Sequence, residues 1–166
     1  MDRWFEEAMP VYVHPKDPFK RVDVLPSTRH VQVFINDVKV ADSRSSMHLY
    51  ETGLPARFYL PLTDVDASKL RPSETKTQCP YKGEAEYYSV ETGEGKVARD
   101  VVWFYERPTL ECAKIEGEVD ISERRLRAST DMLTLTSATG LLCFYNEKVD
   151  IKIDGEWLEK PKSPFS

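Results

Sequence analysis

A chain of 166 residues is long enough to bury a core within one domain without help from disulfides. Its 8 Tyr, 7 Phe and 3 Trp suit both sheet packing and pocket walls. A formal net charge of -5, with basic residues scattered apart from the short run Arg124-Arg125-Leu126-Arg127, argues against nucleic acid as a partner, because gripping a phosphate backbone takes clustered Lys and Arg.

In chain order, the first segment carries Pro10, Pro15, Pro18 and Pro26. Each removes a backbone donor and biases the preceding residue toward extended geometry, so residues 1–30 read as an extended arm. Val31, Val33 and Ile35 alternate with Gln32 and Phe34, Asn36-Asp37 makes a turn, and Val38 to Ala41 returns, which predicts a β-hairpin. Met47 to Glu51 and Arg57 to Leu60 read as strands around the Gly- and Pro-bearing loop Thr52-Gly53-Leu54-Pro55. Thr63-Asp64-Val65-Asp66 is composed to cap one helical turn leading to Leu70, with Pro72 ending it.

Tyr87 to Val90 and Val97 to Tyr105 flank the polar loop Glu91 to Lys96 and predict a further hairpin. Val101-Val102-Trp103-Phe104-Tyr105 is apolar on both faces, which suits a central strand. Thr109 to Ile115 reads as a short helix ending at Gly117. Cys143 to Tyr145 and Val149 to Ile153 read as a hairpin about Asn146-Glu147-Lys148, and Asp154-Gly155 as a turn before a proline-bearing tail. Short strands joined by turns, with little helix, predict a mostly antiparallel β domain.

Cys79, Cys112 and Cys143 are widely separated and odd in number, with neither the close pairing of a zinc site nor that of a redox dithiol, so no metal or cofactor is expected. Met1 to Glu7 lacks the basic-then-apolar order of a signal peptide, and no apolar run approaches membrane-spanning length. The expectation is a cytoplasmic protein with reduced thiols and no membrane partner. No feature of the sequence specifies an oligomeric state.

The densest chemistry lies in Thr77 to Tyr88, where Cys79, Tyr81 and Lys82 sit between a stiffening Pro80 and a permissive Gly83. Cys79 is a candidate nucleophile if a cation such as Lys82 or Arg57 favours its thiolate, and otherwise a packed structural cysteine. Arg57 and Lys82 are candidates to receive an anion, with Glu51 to orient either. Trp103, Tyr105 and Tyr81 suit a pocket wall, with core packing as the competing role. His48, alone on a predicted strand, reads as a satisfied surface or core histidine rather than a ligand, and His14 and His30 carry no assigned role.

Several blocks together resemble one family: Val40-Ala41-Asp42-Ser43, Glu51 to Tyr59, Cys79-Pro80-Tyr81-Lys82-Gly83, Trp103-Phe104-Tyr105 and Phe144 to Asp150. Their order is similar to the domain-of-unknown-function family 427, with an arm and tail like those of its fungal-type members. The resemblance implies a β-tent fold, two antiparallel sheets joined along one edge with one or two short helices, as in methionine sulfoxide reductase B and the ligand-binding domain of cereblon. Those relatives hold zinc with two cysteine pairs, which this chain lacks. Nucleotidyltransferase naming also attaches to the family, but the sequence shows neither a glycine-rich phosphate cradle nor a paired-Asp metal site.

Against the family pattern, residues 120–140 intervene where Gly117-Glu118-Val119 should run almost directly into Cys143-Phe144-Tyr145. Ser122 to Ala128 has the composition of a short exposed helix, and the segment reads either as a genuine insertion or as translated intron. The resulting organisation is an arm over 1–30, one β-tent-like domain over 31–158 and a tail over 159–166. The expected function is binding of a small polar or anionic ligand in the cleft between the sheets, through Glu51, Arg57, Tyr59, Cys79, Tyr81, Lys82 and Trp103. A cysteine-dependent redox or transfer enzyme using Cys79, and a protein-interaction module using the arm and tail, are the alternatives.

Overall fold

The computed structural model describes residues 4–6, 9–11, 19–93, 95–117 and 140–162. Its strands are β1 Trp4–Glu6, β2 Met9–Val11, β3 Val22–Ser27, β4 Val31–Ile35, β5 Val38–Ser43, β6 Ser46–Glu51, β7 Arg57–Pro61, β8 Leu70–Cys79, β9 Gly83–Glu91, β10 Val97–Phe104, β11 Leu141–Phe144, β12 Asp150–Ile153 and β13 Glu156–Trp157. They form a seven-stranded sheet in the order β3-β6-β7-β11-β10-β9-β8 and a four-stranded sheet in the order β13-β12-β4-β5, beside a β1-β2 ribbon. Helix among the described residues is limited to the 3-10 helix Leu110–Ile115 and two single 3-10 turns, Leu62–Asp64 and Ala67–Lys69. The mostly antiparallel, two-sheet architecture expected from the sequence is observed.

Two turns lie where the sequence chemistry puts them, although the second leads into a short strand, β13, rather than straight into the tail. Asn36 and Asp37 both take positive φ, 50° and 62°, and join β4 to β5; Asp154 and Gly155, at 54° and 91°, join β12 to β13. Positive φ at both central residues is the requirement of the two-residue hairpin turn whose twist matches that of its strands. The Asp66 side chain accepts from the backbone N–H of Ser68 and caps the second 3-10 turn.

Strand alternation divides the core in two. Phe58 and Leu60 of β7, Tyr88 and Val90 of β9, Val102 and Phe104 of β10, and Leu142 and Phe144 of β11 pack against Val31, Val33, Val40 and Ile151 of the small sheet. The alternate residues Tyr59, Ala85, Tyr87, Trp103 and Cys143 point the other way, where Cys112 and Ile115 of the 3-10 helix cover part of that face. The centre of the large sheet is therefore covered on both sides, and the all-apolar run at Val101 to Tyr105 is its doubly covered strand.

Four sequence expectations are corrected. Residues 22–27, within the segment read as an arm, are the edge strand β3, paired with β6 from Val22↔Glu51 to Ser27↔Ser46. Residues 70–79 form the longest strand, β8, running through Pro72 rather than ending there; its apolar period is missing because it is an edge strand whose side chains are mostly in solvent. Cys143 to Ile153 is not a hairpin. β11 belongs to the large sheet and β12 to the small one, and the turn at Tyr145, whose carbonyl accepts from the N–H groups of Lys148 and Val149, carries the chain between them. The fourth correction, the position of the cleft, is described with the site. The helix expected within 122–128 lies outside the described residues.

Candidate functional site

A cavity of about 560 Å³ opens on the face of the large sheet turned away from the small sheet. Every strand that contributes to it belongs to the large sheet: Glu51 ends β6, Arg57 and Tyr59 lie on β7, Thr77 to Cys79 end β8, Tyr87 lies on β9 and Trp103 on β10. Leu54, Pro55, Pro80, Tyr81, Lys82, Tyr105, Tyr145 and Lys20 complete the lining. All seven residues singled out from the sequence, Glu51, Arg57, Tyr59, Cys79, Tyr81, Lys82 and Trp103, share this one concavity. It is not the space between the two sheets, which is filled by side chains from both. The correction follows from parity, since Arg57 and Tyr59 sit on the opposite side of β7 from Phe58 and Leu60.

One end of the cavity is basic. Glu51, with 4% of its side chain exposed, accepts from Lys82 through Oε2 and from Lys20 through Oε1 at 3.0 Å. Lys20 Nζ also lies 4.4 Å from the centroid of the Tyr81 ring. Burial pushes the Glu51 carboxyl up, but the two lysines outweigh it and hold it below its ordinary 4.5. The stability this contributes is present above pH 4.5 and is lost as the pH falls through the folded value. Lys20 is raised by the hydrogen bond to Glu51. Two ammonium groups share one carboxylate, leaving one positive charge in excess at this end among the described residues.

Arg57 is differently placed. Its Nη1 and Nη2 each donate at 2.7 Å to Glu147, in a bidentate pair whose side chains are 8% and 1% exposed. Its guanidinium carbon lies 5.6 Å from the Trp103 ring and 6.0 Å from the Tyr145 ring. Burial pulls the guanidinium down and the Glu147 bond more than restores it. Of the two cations proposed for an anion, Lys82 therefore stands with Glu51 in the basic end, whereas Arg57 is engaged by Glu147. Glu51 orients Lys82 and Lys20, not Arg57.

The remaining wall is aromatic. Trp103 and Tyr145 have ring centroids 4.4 Å apart, and Tyr145 stacks on Tyr87 at 6.4 Å with planes 12° apart. Trp103 Nε1 donates to the Tyr59 hydroxyl at 3.2 Å, so the indole's polar edge is satisfied. Thr77, Tyr87 and Tyr145 form a chain of hydroxyls, at 2.8 Å and then 3.3 Å. Burial pushes the phenols of Tyr59, Tyr105 and Tyr145 well above their usual range, so all three are neutral hydrogen-bonding groups at physiological pH.

The turn that carries Cys79 to Lys82 is pinned from outside. Thr109 donates its hydroxyl to the Tyr81 carbonyl at 2.6 Å and its N–H to the Lys82 carbonyl at 3.1 Å. Gly83 follows at φ 107°, and a Cβ there would stand 2.9 Å from the Arg107 carbonyl oxygen. All three cysteines are free thiols: Cys79 is half-buried at the cavity, whereas Cys112 and Cys143 are fully buried. Burial pushes the Cys143 thiol up to about 12 and raises Cys112 as well. Among the described residues, no histidine lines the cavity. His48 is buried on the opposite face, with Ser46 Oγ 3.0 Å from Nε2 and its ring 4.8 Å from that of Phe58. No group of three or more His, Cys, Asp or Glu is placed to hold a metal among the described residues, and no helix there is long and apolar enough to cross a membrane.

Lys20, Tyr87, Tyr145 and Glu147 were missed in the sequence. Tyr145 and Glu147 sit inside a block that carried the family resemblance, and Tyr87 inside a predicted strand, so each had a local signal without a partner to give it meaning. Lys20, in the proline-punctuated segment, had none.

Fold and site together define a class: a mostly antiparallel β protein whose larger sheet carries a pocket with an aromatic wall and a basic end. The model of the domain of unknown function DUF427 matches residues 23–132, and the chain belongs to that family. The match spans all seven of the singled-out residues and leaves Lys20, Tyr145 and Glu147 outside it. No match was found among curated proteins.

Proposed function

We propose that the protein binds a small polar or anionic ligand in the cavity on the outer face of its large sheet. One observation carries the reading: Lys82, only 12% exposed, lines the cavity with its ammonium on a carboxylate that Lys20 also uses. A nearly buried charge that is not fully balanced is costly, and an anionic group from a ligand supplies the missing balance. The volume is that of pockets that take small molecules, and the aromatic lining is typical of them. The β-tent-like description and the cytoplasmic setting belong to the same reading.

A thermal-shift screen of metabolites, confirmed by native mass spectrometry, tests it. A ligand that binds only the folded state raises apparent stability by about 2.7 kcal/mol at a hundred times its dissociation constant. The expected result is a set of anionic compounds that raise the melting temperature and lose their effect in Lys82→Met. A broad screen without shifts overturns the reading.

Cysteine-dependent chemistry is the second reading, because Cys79 opens onto the same cavity. A thiol nucleophile needs a base or a cation to favour the thiolate, and among the described residues the cavity lining offers lysines but no histidine. Iodoacetamide labelling followed by peptide mapping separates the two. Binding alone predicts that Cys79 reacts no faster than an ordinary exposed thiol, with Cys112 and Cys143 protected; faster labelling at Cys79 favours the enzyme.

A further inference from the structure

We infer that the ligand is a flat ring bearing a single anionic head group, an aromatic or heteroaromatic carboxylate or phosphate monoester, with its head on Lys82 and Lys20 and its ring against Trp103 and Tyr145. This rests on the reading that the cavity binds a small ligand, and it specifies which kind.

Charge counting defines the head. Among the described residues, Lys20 and Lys82 contribute two positive charges and Glu51 one negative, so the basic end is balanced by one further anion. Each ammonium has three N–H donors and gives one to Glu51, so each retains donors for an incoming oxygen. The Arg57 guanidinium does not add to this excess, because Glu147 neutralises it. An aromatic cage can also attract a cation, but here the excess positive charge opposes one.

Geometry defines the body. Trp103 and Tyr145 both line the cavity and pack together with centroids 4.4 Å apart, the Arg57 guanidinium lying 5.6 Å and 6.0 Å from their rings. Ring faces gain most from an offset or edge-on ring, which an aliphatic chain cannot supply. The hydroxyls of Tyr87 and Tyr145 lie 3.3 Å apart on the same wall, so a polar ring substituent finds donors and acceptors there.

Calorimetric titration and thermal shift with a small probe panel test the inference. The probes are indole-3-acetate and phenyl phosphate as ringed anions, indole-3-acetamide as a neutral isostere, hexanoate as an anion without a ring, and tryptamine as a ringed cation. The expected result is binding of at least one ringed anion at least tenfold tighter than the amide, hexanoate and tryptamine, with a further tenfold loss in Lys82→Met and in Lys20→Met. The tighter of the two ringed anions identifies the head as carboxylate or phosphate. Circular dichroism and melting of both variants without ligand show that they fold, and Lys20→Met serves alone if Lys82→Met does not.

Equal binding of the amide overturns the anionic head, and equal binding of hexanoate overturns the ring. Preference for tryptamine, or no binding of any probe at millimolar concentration, overturns the whole inference. If a non-aromatic ligand from the broader screen binds and is lost in Lys82→Met, this inference fails while the binding function stands; if no ligand of any kind binds, both fail.

Discussion

Arg57 and Glu147 close a bidentate ion pair almost wholly out of solvent, across ninety positions of chain, and the pair ties β7 to the turn that presents Tyr145 to the cavity. Such a pair is a modest source of net stability, because desolvation offsets its attraction, but losing one member strands the other charge. Arg57→Ala and Glu147→Gln are each expected to lower unfolding free energy by about 3–5 kcal/mol, measured by urea denaturation. His48 gives a second residue-scale expectation. Burial holds its imidazole below the ordinary 6.5, with Arg29 acting in the same direction. The unfolded chain therefore takes up the proton first, so the contribution is fully present above pH 6.5 and is lost as the pH falls from there to the folded value. The urea midpoint should drop between pH 7.5 and 5.5, and His48→Phe should flatten that slope. Residue types made Arg57 and Lys82 candidates, but their division of labour was illegible: the partners that separate them, Glu147 and Lys20, come from opposite ends of the chain.

At the scale of elements, the turn between β8 and β9 sets the direction of Tyr81 and Lys82. Gly83 allows it, with a positive φ and a close approach to the Arg107 carbonyl that no side chain would permit. Gly83→Ala is expected to cost about 2 kcal/mol through backbone strain and to weaken whatever ligand Lys82 holds, read by denaturation and by titration of the same variant. The permissive role of this glycine was visible in the sequence, as were the hairpin at Asn36-Asp37 and the turn at Asp154-Gly155, because their turn chemistry is local. β3 and β8 were not. Both lie at the margins of the large sheet with few buried side chains, so neither carries the apolar period that would announce a strand. The run from β11 to β12 misled for a related reason, since two strands separated by a short turn have the same local pattern whether they pair or part to different sheets.

At the scale of the whole molecule, Gly117 stands against the start of β11. Its N–H donates to the Tyr105 carbonyl at 2.9 Å, and a Cβ on it would lie 2.9 Å from the Leu141 carbonyl oxygen, while Gly140 accepts from Leu62 at 2.8 Å. The residues on either side of positions 118–139 are thus already together. We propose that the fold does not require that stretch. Replacing it with a four-residue Gly/Ser linker should leave a cooperative melting transition, with its midpoint raised by roughly 2–4 °C, since a shorter connection costs about 1 kcal/mol less to close. A collapse of the melting transition would show that the stretch contributes to the core.

The sequence by itself determined the β class, the tight turns, the doubly buried strand at Val101 to Tyr105 and the residue types that line the cavity, because alternation, turn preference and side-chain chemistry are properties of near neighbours. Only the tertiary structure decided which face of the large sheet those residues share, that Lys20 and Lys82 meet on one carboxylate, and that Arg57 is held by Glu147. The physical reason is strand parity combined with sheet order: a shift of one residue reverses a side chain's face, and the pairings that bring distant strands side by side are made between segments whose local patterns do not name their partners.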